Sequence, residues 1–188
     1  AEELRAALTE SIEDHLVSDV PVGVFLSAGL DSASIMALTS EVAGSQMETM
    51  TLRFDEFSGG SLDEAPLAAE IAALYNTRHQ TRTVKGRDFN ADKEKLLAAM
   101  DQPSIDGVNT YFVAKEAADM GLKVALSGLG GDELFGGYDS FRQVPSLVNG
   151  LGWLPGIRTL GAGFRMLSGP LLRHLTSPKY ASLFEYSA

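Results

Sequence analysis

Val22-Gly23-Val24-Phe25-Leu26-Ser27-Ala28-Gly29-Leu30-Asp31-Ser32-Ala33-Ser34 passes from an apolar run to small residues to a helix start within thirteen positions. Val22, Val24, Phe25 and Leu26 form the continuous apolar run of a strand covered on both faces, as in a parallel sheet. Ser27, Ala28 and Gly29 make the loop. Their small side chains let backbone N–H groups approach an anion, and Asp31 or Ser32 is placed to cap the helix that follows. The junction suits a phosphate, yet it is neither G-x-x-x-x-G-K-[ST] nor G-x-G-x-x-G, which argues against a Walker or a dinucleotide loop. Taken alone, it reads as a tight strand-to-helix turn of an α/β domain, so a second element has to decide.

Working outward, Leu4, Leu8, Ile12 and Leu16 predict an amphipathic helix ahead of the strand, ended by Ser18, Asp19 and Pro21. Ile35, Leu38 and Val42 mark the buried side of the helix after the loop, with Gly44 as its stop. Glu48 to Phe54 reads as the next strand, and Asp55 to Ser61 as an acidic, glycine-containing loop. A helix beginning near Pro66, with Asp63 and Glu64 at its start, carries Leu67, Ile71 and Leu74. Gln80 to Val84 is a short strand, Lys93 to Met100 a helix, and Asp101 to Gly107 turn chemistry. Asn109 is expected to cap a helix bearing Tyr111, Phe112, Val113 and Ala117, and Val124 to Leu126 is a fourth strand. Strand alternates with helix throughout, which predicts an α/β fold of three layers, a parallel sheet with helices on both faces. In such sheets ligands sit beyond the carboxyl ends of the strands. The loops after Leu26 and after Leu126 both lie at that end. From Phe141 onward short packed helices are expected, and the apolar stretch from Trp153 to Leu172 is expected to cover the sheet or another domain.

A chain of 188 residues with 45% apolar content suits one domain of ordinary size. The net charge of −10 argues against the clustered cationic surface that nucleic acids require. No cysteine is present, so neither a thiol nucleophile nor a thiolate metal site is available. The charged, helix-like stretch Ala1 to Leu8 gives no support for secretion, and Pro155, Arg158, Arg165 and Pro170 interrupt the most apolar region, so no membrane span is expected. A cytoplasmic protein is the expectation. His15, His79 and His174 lack metal-ligand spacing and read as surface or partly packed residues.

The second element is Leu126-Ser127-Gly128-Leu129-Gly130-Gly131-Asp132-Glu133-Leu134-Phe135-Gly136-Gly137-Tyr138. Five glycines surround the pair Asp132 and Glu133, more than a simple turn requires. Glycine permits close backbone approach, and carboxylates are hard ligands for Mg²⁺ beside substrate phosphates.

Together, S-A-G-L-D-S and S-G-L-G-G-D-E-L-F-G-G-Y resemble the synthetase (C-terminal) domain of glutamine-hydrolysing asparagine synthetases, within the N-type ATP pyrophosphatase (PP-loop) superfamily. The match is strongest over Ser18 to Leu38 and Lys123 to Tyr138 and extends to about Phe141. The resemblance implies an adenine nucleotide alpha hydrolase-like sheet with ATP across its strand ends, residues 1–140 forming the ATP-binding synthetase domain and 141–188 a truncated helical extension. It implies that Ser27, Ala28, Gly29, Asp31 and Ser32 hold the pyrophosphate portion, that Leu26 and Leu52 lie near the adenosine, and that Ser127 and Gly128 face the nucleotide. Asp31 and Asp132 match the family's magnesium-holding acidic positions and are the implied catalytic pair. ATP and Mg²⁺ are thus the implied cofactors. In this family the side-chain carboxylate of aspartate is activated as an acyl adenylate with release of pyrophosphate, and ammonia then gives asparagine.

Ala28 replaces the glycine usual in the family loop, a small change compatible with an anion nest when φ is negative. Leu129 stands where these synthetases typically have glutamate, a residue linked to adenylate formation, and leucine neither carries charge nor accepts a proton. An amidotransferase acting on another carboxylate, such as a cell-surface sugar acid or a β-lactam precursor, is therefore a competing expectation, as is a non-catalytic nucleotide-binding fragment. The family's cysteine-initiated glutaminase domain and its later catalytic lysine have no counterpart here, so an excised domain is expected, with a glutaminase domain in the full-length protein. Partners are otherwise the small-molecule substrates, with a homodimer permitted and neither nucleic acid nor membrane expected.

Overall fold

The computed structural model describes residues 1–44, 46–102, 104 and 106–151. The chain divides into two compact units, Ala1–Leu129 and Gly130–Ala188. The first contains the sheet. Its strands are β1 (Val22–Phe25), β2 (Glu48–Phe54), β3 (Arg78–Val84) and β4 (Val124–Leu126), all parallel, in the order β3-β2-β1-β4. The register pairs Phe25 with Met50, Val24 with Leu126 and Phe54 with Val84, so β2 and β3 run on past the end of β1.

Side-chain alternation along the strands divides the core between the two faces. On one face Val24 and Leu26 pack with Met36 of α2 (Leu30–Ala43) and with Ala68 and Ala72 of α3 (Ala65–Leu74). Met50 turns to the other face, against Ala117 of α5 (Asp106–Asp119) and Leu122. Val84, Leu96 of α4 (Gly86–Ala99) and Phe112 form a further cluster there, with Leu52 and Phe54 against it. Helices therefore cover both faces, and the expected layered α/β architecture is what forms. Full burial of a side chain such as Met36 or Val24 contributes about 1.5–3 kcal/mol, which is why the apolar run at 22–26 is a central strand. The α1 helix (Glu2–Leu16) lies outside α2, joined to it by Arg5 and Glu41 at 2.5 Å; with both side chains more than half exposed, the pair contributes at most about 1 kcal/mol.

Some boundaries differ from the sequence expectation. The α4 helix begins at Gly86, two turns before Lys93, because the Asp88 carboxylate accepts from the Lys85 amide at 3.0 Å and closes the helix start. The α5 helix begins at Asp106, so Asn109 lies inside it and is not its cap. The α2 helix takes Gly29 as its N-cap without a side-chain cap; neither Asp31 nor Ser32 performs that role, since both lie inside the first turn. Asp63 does stabilise the start of α3, accepting from the Ala65 amide at 3.2 Å and the Gly59 amide at 2.8 Å. The Gly59 amide, opposed by burial and aided by the Ala65 amide and the Arg53 charge, holds the Asp63 carboxyl below the usual carboxylate range.

The second unit, over its described residues, comprises α6 (Gly131–Phe135) and α7 (Ser140–Leu151). Gly130 and Gly136 flank α6 with φ of 96° and 67°, left-handed conformations that strain any residue with a Cβ. The Tyr138 hydroxyl lies 2.8 Å from Glu133 Oε1, and the Tyr138 ring stacks on Phe141. The stretch from Trp153 to Leu172 and His174 lie outside the described residues. Among the described residues no helix is long and apolar enough to cross a membrane.

Candidate nucleotide site at the switch point

The strand order gives the first unit a ligand position before any side chain is considered. From β1 the chain steps to β2 and β3 on one side, then returns to place β4 on the other side of β1. Between β1 and β4 the winding reverses, and the loops leaving those strands lie together at the carboxyl end of the sheet, the position where ligands of such folds sit. Those loops are Ser27–Gly29 and Ser127–Leu129.

The first loop is closed around one hydroxyl. Ser32 is buried, and its Oγ accepts from the Ser27 amide at 3.1 Å. The same hydroxyl lies 2.8 Å from Ser27 Oγ and within donating distance of the Ser27 and Gly29 carbonyls, at 3.1 and 3.2 Å. Ser27 Oγ in turn accepts from the Gly29 amide at 3.1 Å. With the Ser27 and Gly29 amides taken up internally, those of Ala28, Leu30, Asp31 and Ser32 remain without a protein acceptor among the described residues. Four such donors clustered at the N-terminus of a fourteen-residue helix form an anion nest, reinforced by the helix dipole. Outside glycine only Gln46 and Asn76 take positive φ among the described residues, so Ala28 fits the loop without strain.

The second loop sits directly on this helix start. A Cβ built on Gly128 would come within 2.8 Å of the Ser32 amide nitrogen, 3.0 Å of Asp31 Cβ and 3.1 Å of the Asp31 carbonyl carbon. Only glycine permits that approach. Ser127 is exposed beside it, its Oγ accepting from the Leu129 amide at 3.3 Å. Leu129 itself is 90% exposed and contributes nothing to the core.

Leu26 and Leu52 point to opposite faces of the sheet. Leu26 is 2% exposed, with its amide and carbonyl both bonded to β2, whereas Leu52 is half-buried at the part of β2 that runs past β1. Asp31 is half-buried in the first turn of α2, and its carboxylate has no hydrogen-bond or ion-pair partner among the described residues. In the second unit, Asp132 opens α6 with an exposed carboxylate that is likewise unpaired among the described residues. Two unpaired carboxylates are the hard-oxygen chemistry that Mg²⁺ takes. No three His, Cys, Asp or Glu side chains converge on one point among the described residues.

Two features escaped the sequence reading. Thr51 of β2 is 3% exposed, and its Oγ1 donates to the Leu26 carbonyl at 2.5 Å, exactly where β1 gives way to the loop. The alternation Thr49-Met50-Thr51-Leu52 held the signal: a hydroxyl on every second residue of a strand buried on both faces needs a specific partner. The other is the pair Asp92–Lys115 at 2.5 Å, beside a cavity of about 620 Å³ between α4 and α5, lined by Leu96, Met100, Asp106, Tyr111 and Lys115 among others. No residue of the two loops lines it. The hydrogen bond from Lys115 holds the Asp92 carboxyl below its ordinary range, and the same contact raises the Lys115 ammonium.

The sheet and its two loops define a doubly wound parallel α/β domain with a cluster of unpaired amides at its switch point. The asparagine synthase family model matches residues 3–187, and the chain belongs to that family. It is 37% identical over 147 residues to asparagine synthetase [glutamine-hydrolyzing] 1 of Bacillus subtilis, covering 77% of this chain and 22% of that protein. To asparagine synthetase B [glutamine-hydrolyzing] of Escherichia coli it is 35% identical over 156 residues, covering 77% of this chain and 28% of that protein. The matched region thus spans about a quarter of the length of these relatives. It is also 31% identical over 163 residues to amidase chry2 of Gibberella zeae, covering 75% of this chain and 23% of that protein.

Proposed function

We propose that this domain binds Mg-ATP in the crevice between the β1 and β4 loops and activates the side-chain carboxylate of aspartate for amide formation, as the synthetase part of a glutamine-hydrolysing enzyme. The observation that carries the reading is the set of unpaired amides at Ala28, Leu30, Asp31 and Ser32, with Gly128 seated against them. The nest holds the pyrophosphate portion of ATP through backbone N–H groups and the α2 dipole, so no loop lysine is needed. Membership of the asparagine synthase family supports the choice of ATP and of a carboxylate acceptor.

One carboxylate oxygen of the acceptor attacks the α-phosphorus, the bond to the pyrophosphate oxygen breaks, and aspartyl adenylate and pyrophosphate result. Ammonia then adds to the acyl carbon, loses a proton, and AMP leaves with the former carboxylate oxygen. The contribution of the domain is to hold the triphosphate in line and to offset the charge that collects on the departing pyrophosphate. Asp31 of the first unit and Asp132 of the second are each a carboxylate that would serve as a ligand to Mg²⁺, which when bound would neutralise phosphate charge. Ser127 and Gly128 face the nucleotide in this reading, and Leu26 and Leu52 lie near its adenosine. Ser32 acts from within the loop, since its hydroxyl is already committed to Ser27 and Gly29.

A second reading is favoured by Leu129, exposed on the loop beside the crevice. A neutral side chain there fits amide formation on a carboxylate acceptor other than aspartate. Pyrophosphate release, measured with Mg-ATP and a panel of carboxylates, separates the readings. Stimulation by aspartate is expected from the first and stimulation only by another acid from the second. ATP binding without turnover on any acid would reduce the domain to a nucleotide-binding module.

A further inference from the structure

The loop that forms the nest has to be held at both ends, and Ser32 secures only the end nearer the helix. At the strand end, Leu26 is tied twice to β2. Its amide donates to the Met50 carbonyl at 2.9 Å, continuing the parallel ladder one step past β1, and its carbonyl accepts from Thr51 Oγ1 at 2.5 Å. The second bond is outside the ladder. It comes from a side chain that is 3% exposed, on the sheet face covered by α2 and α3. In a buried position a hydroxyl–carbonyl bond is both strong and directional, and its loss leaves the carbonyl without that partner. The peptide it fixes is the one joining Leu26 to Ser27, whose amide nitrogen is in turn fixed by Ser32. One rigid chain of bonds therefore runs from Thr51 through the Leu26–Ser27 peptide to Ser32, and the direction of the next amide, at Ala28, is set by it.

We infer that Thr51 is a positioning residue for the nucleotide: it does not touch the ligand, but through the Leu26 carbonyl it sets the aim of the amides that receive the phosphates. This rests on the Mg-ATP reading of the crevice. A comparison residue lies two positions away on the same strand face. Thr49 is fully buried, and its Oγ1 bonds Thr77 Oγ1 at 2.9 Å and His79 Nδ1 at 3.0 Å, partners on the β3 side and not in the loop. Loss of either hydroxyl removes a buried hydrogen bond from β2, and only one of the two losses releases the loop.

The test is Mg-ATP affinity by titration calorimetry together with the melting temperature, for the parent chain and for Thr51→Val, Thr51→Ser and Thr49→Val. The expected result is that both valine variants melt lower, that Thr51→Val alone binds Mg-ATP roughly tenfold more weakly, and that Thr51→Ser, which keeps the hydroxyl, binds as the parent does. Equal affinity in Thr51→Val and the parent overturns the inference, as does an equal loss of affinity in the two valine variants. Should Thr51→Val not fold, Thr51→Ser decides: weak binding by a folded serine variant overturns the role of the hydroxyl, and parental binding supports it. A parent that binds no Mg-ATP overturns the nucleotide reading and this inference with it, an outcome distinct from parental binding that Thr51→Val leaves unchanged.

Discussion

Gly128→Ala places a methyl group where the two loops of the crevice meet. Its Cβ would stand 2.8 Å from the Ser32 nitrogen, and ordinary contact begins near 3.4 Å, so the β4 loop and the first turn of α2 must separate by about 0.6 Å. The opposing atoms are backbone and the Cβ of Asp31, so no side-chain rotation relieves the contact. Overpacking of this kind costs typically 1–3 kcal/mol, and for a chain of this size about 2–4 °C of melting temperature is lost per kcal/mol. The larger consequence falls on the nest, because the displaced atoms include the Ser32 amide, one of its four donors. Gly128→Ala is therefore expected to melt lower by about 2–12 °C, and to weaken Mg-ATP binding by about tenfold, the worth of one hydrogen bond to a charged group, by calorimetry. Gly44→Ala serves as a reference: φ is 77° there and a Cβ would meet nothing within 4 Å, so it should destabilise through backbone strain and leave binding unchanged. Parental Mg-ATP affinity in Gly128→Ala would refute the placement of phosphate between these loops.

Asp31→Ala removes an unpaired carboxylate from the first turn of α2. It should abolish Mg²⁺-dependent ATP binding while lowering stability by no more than about 1 kcal/mol from the lost dipole interaction, and unchanged affinity by calorimetry would remove Asp31 from the site. His79 is half-buried against Thr49, and burial lowers its imidazole below the ordinary histidine value of 6.5. The unfolded chain then takes up a proton as pH falls through 6.5 while the folded one resists it. The melting temperature should accordingly fall between about pH 7.5 and 5.5, a range set by the ordinary histidine value, and the fall should be shallower in His79→Gln. Identical pH profiles for the two proteins would count against burial of the neutral ring.

Local sequence was enough for most of the fold because each signal it used is local. The Val22–Leu26 run, the period-four spacing of Leu4, Leu8, Ile12 and Leu16 and the glycine at 44 act within a few residues of themselves, and the strand, the helix and the helix stop form where the pattern places them, although within α1 only Ile12 is buried and Leu4 is exposed. Where expectations slipped, a side chain did something other than its type suggests. Ser32 could have capped α2 and instead turns back to Ser27, because burial beneath the loop offers it two carbonyls and an amide. Asn109 could have capped α5, but the helix had already begun at Asp106. The additional turns of α4 depended on a reciprocal contact between Lys85 and Asp88 that neither residue announces alone.

The amino-acid sequence by itself determined that there are two small-residue loops, each following a strand, and that both lie at one end of a parallel sheet. Backbone permissiveness and apolar patterning dictate both, and both are properties of short segments. Only the tertiary structure decided that β1 and β4 are neighbours, that the winding reverses between them, and that Gly128 meets the Ser32 amide at a distance no side chain allows. The same is true of Thr51 holding the Leu26 carbonyl from 25 residues away. These contacts join segments far apart in the chain, and their energy exists only once the sheet has closed, which is why residue type alone could not disclose them.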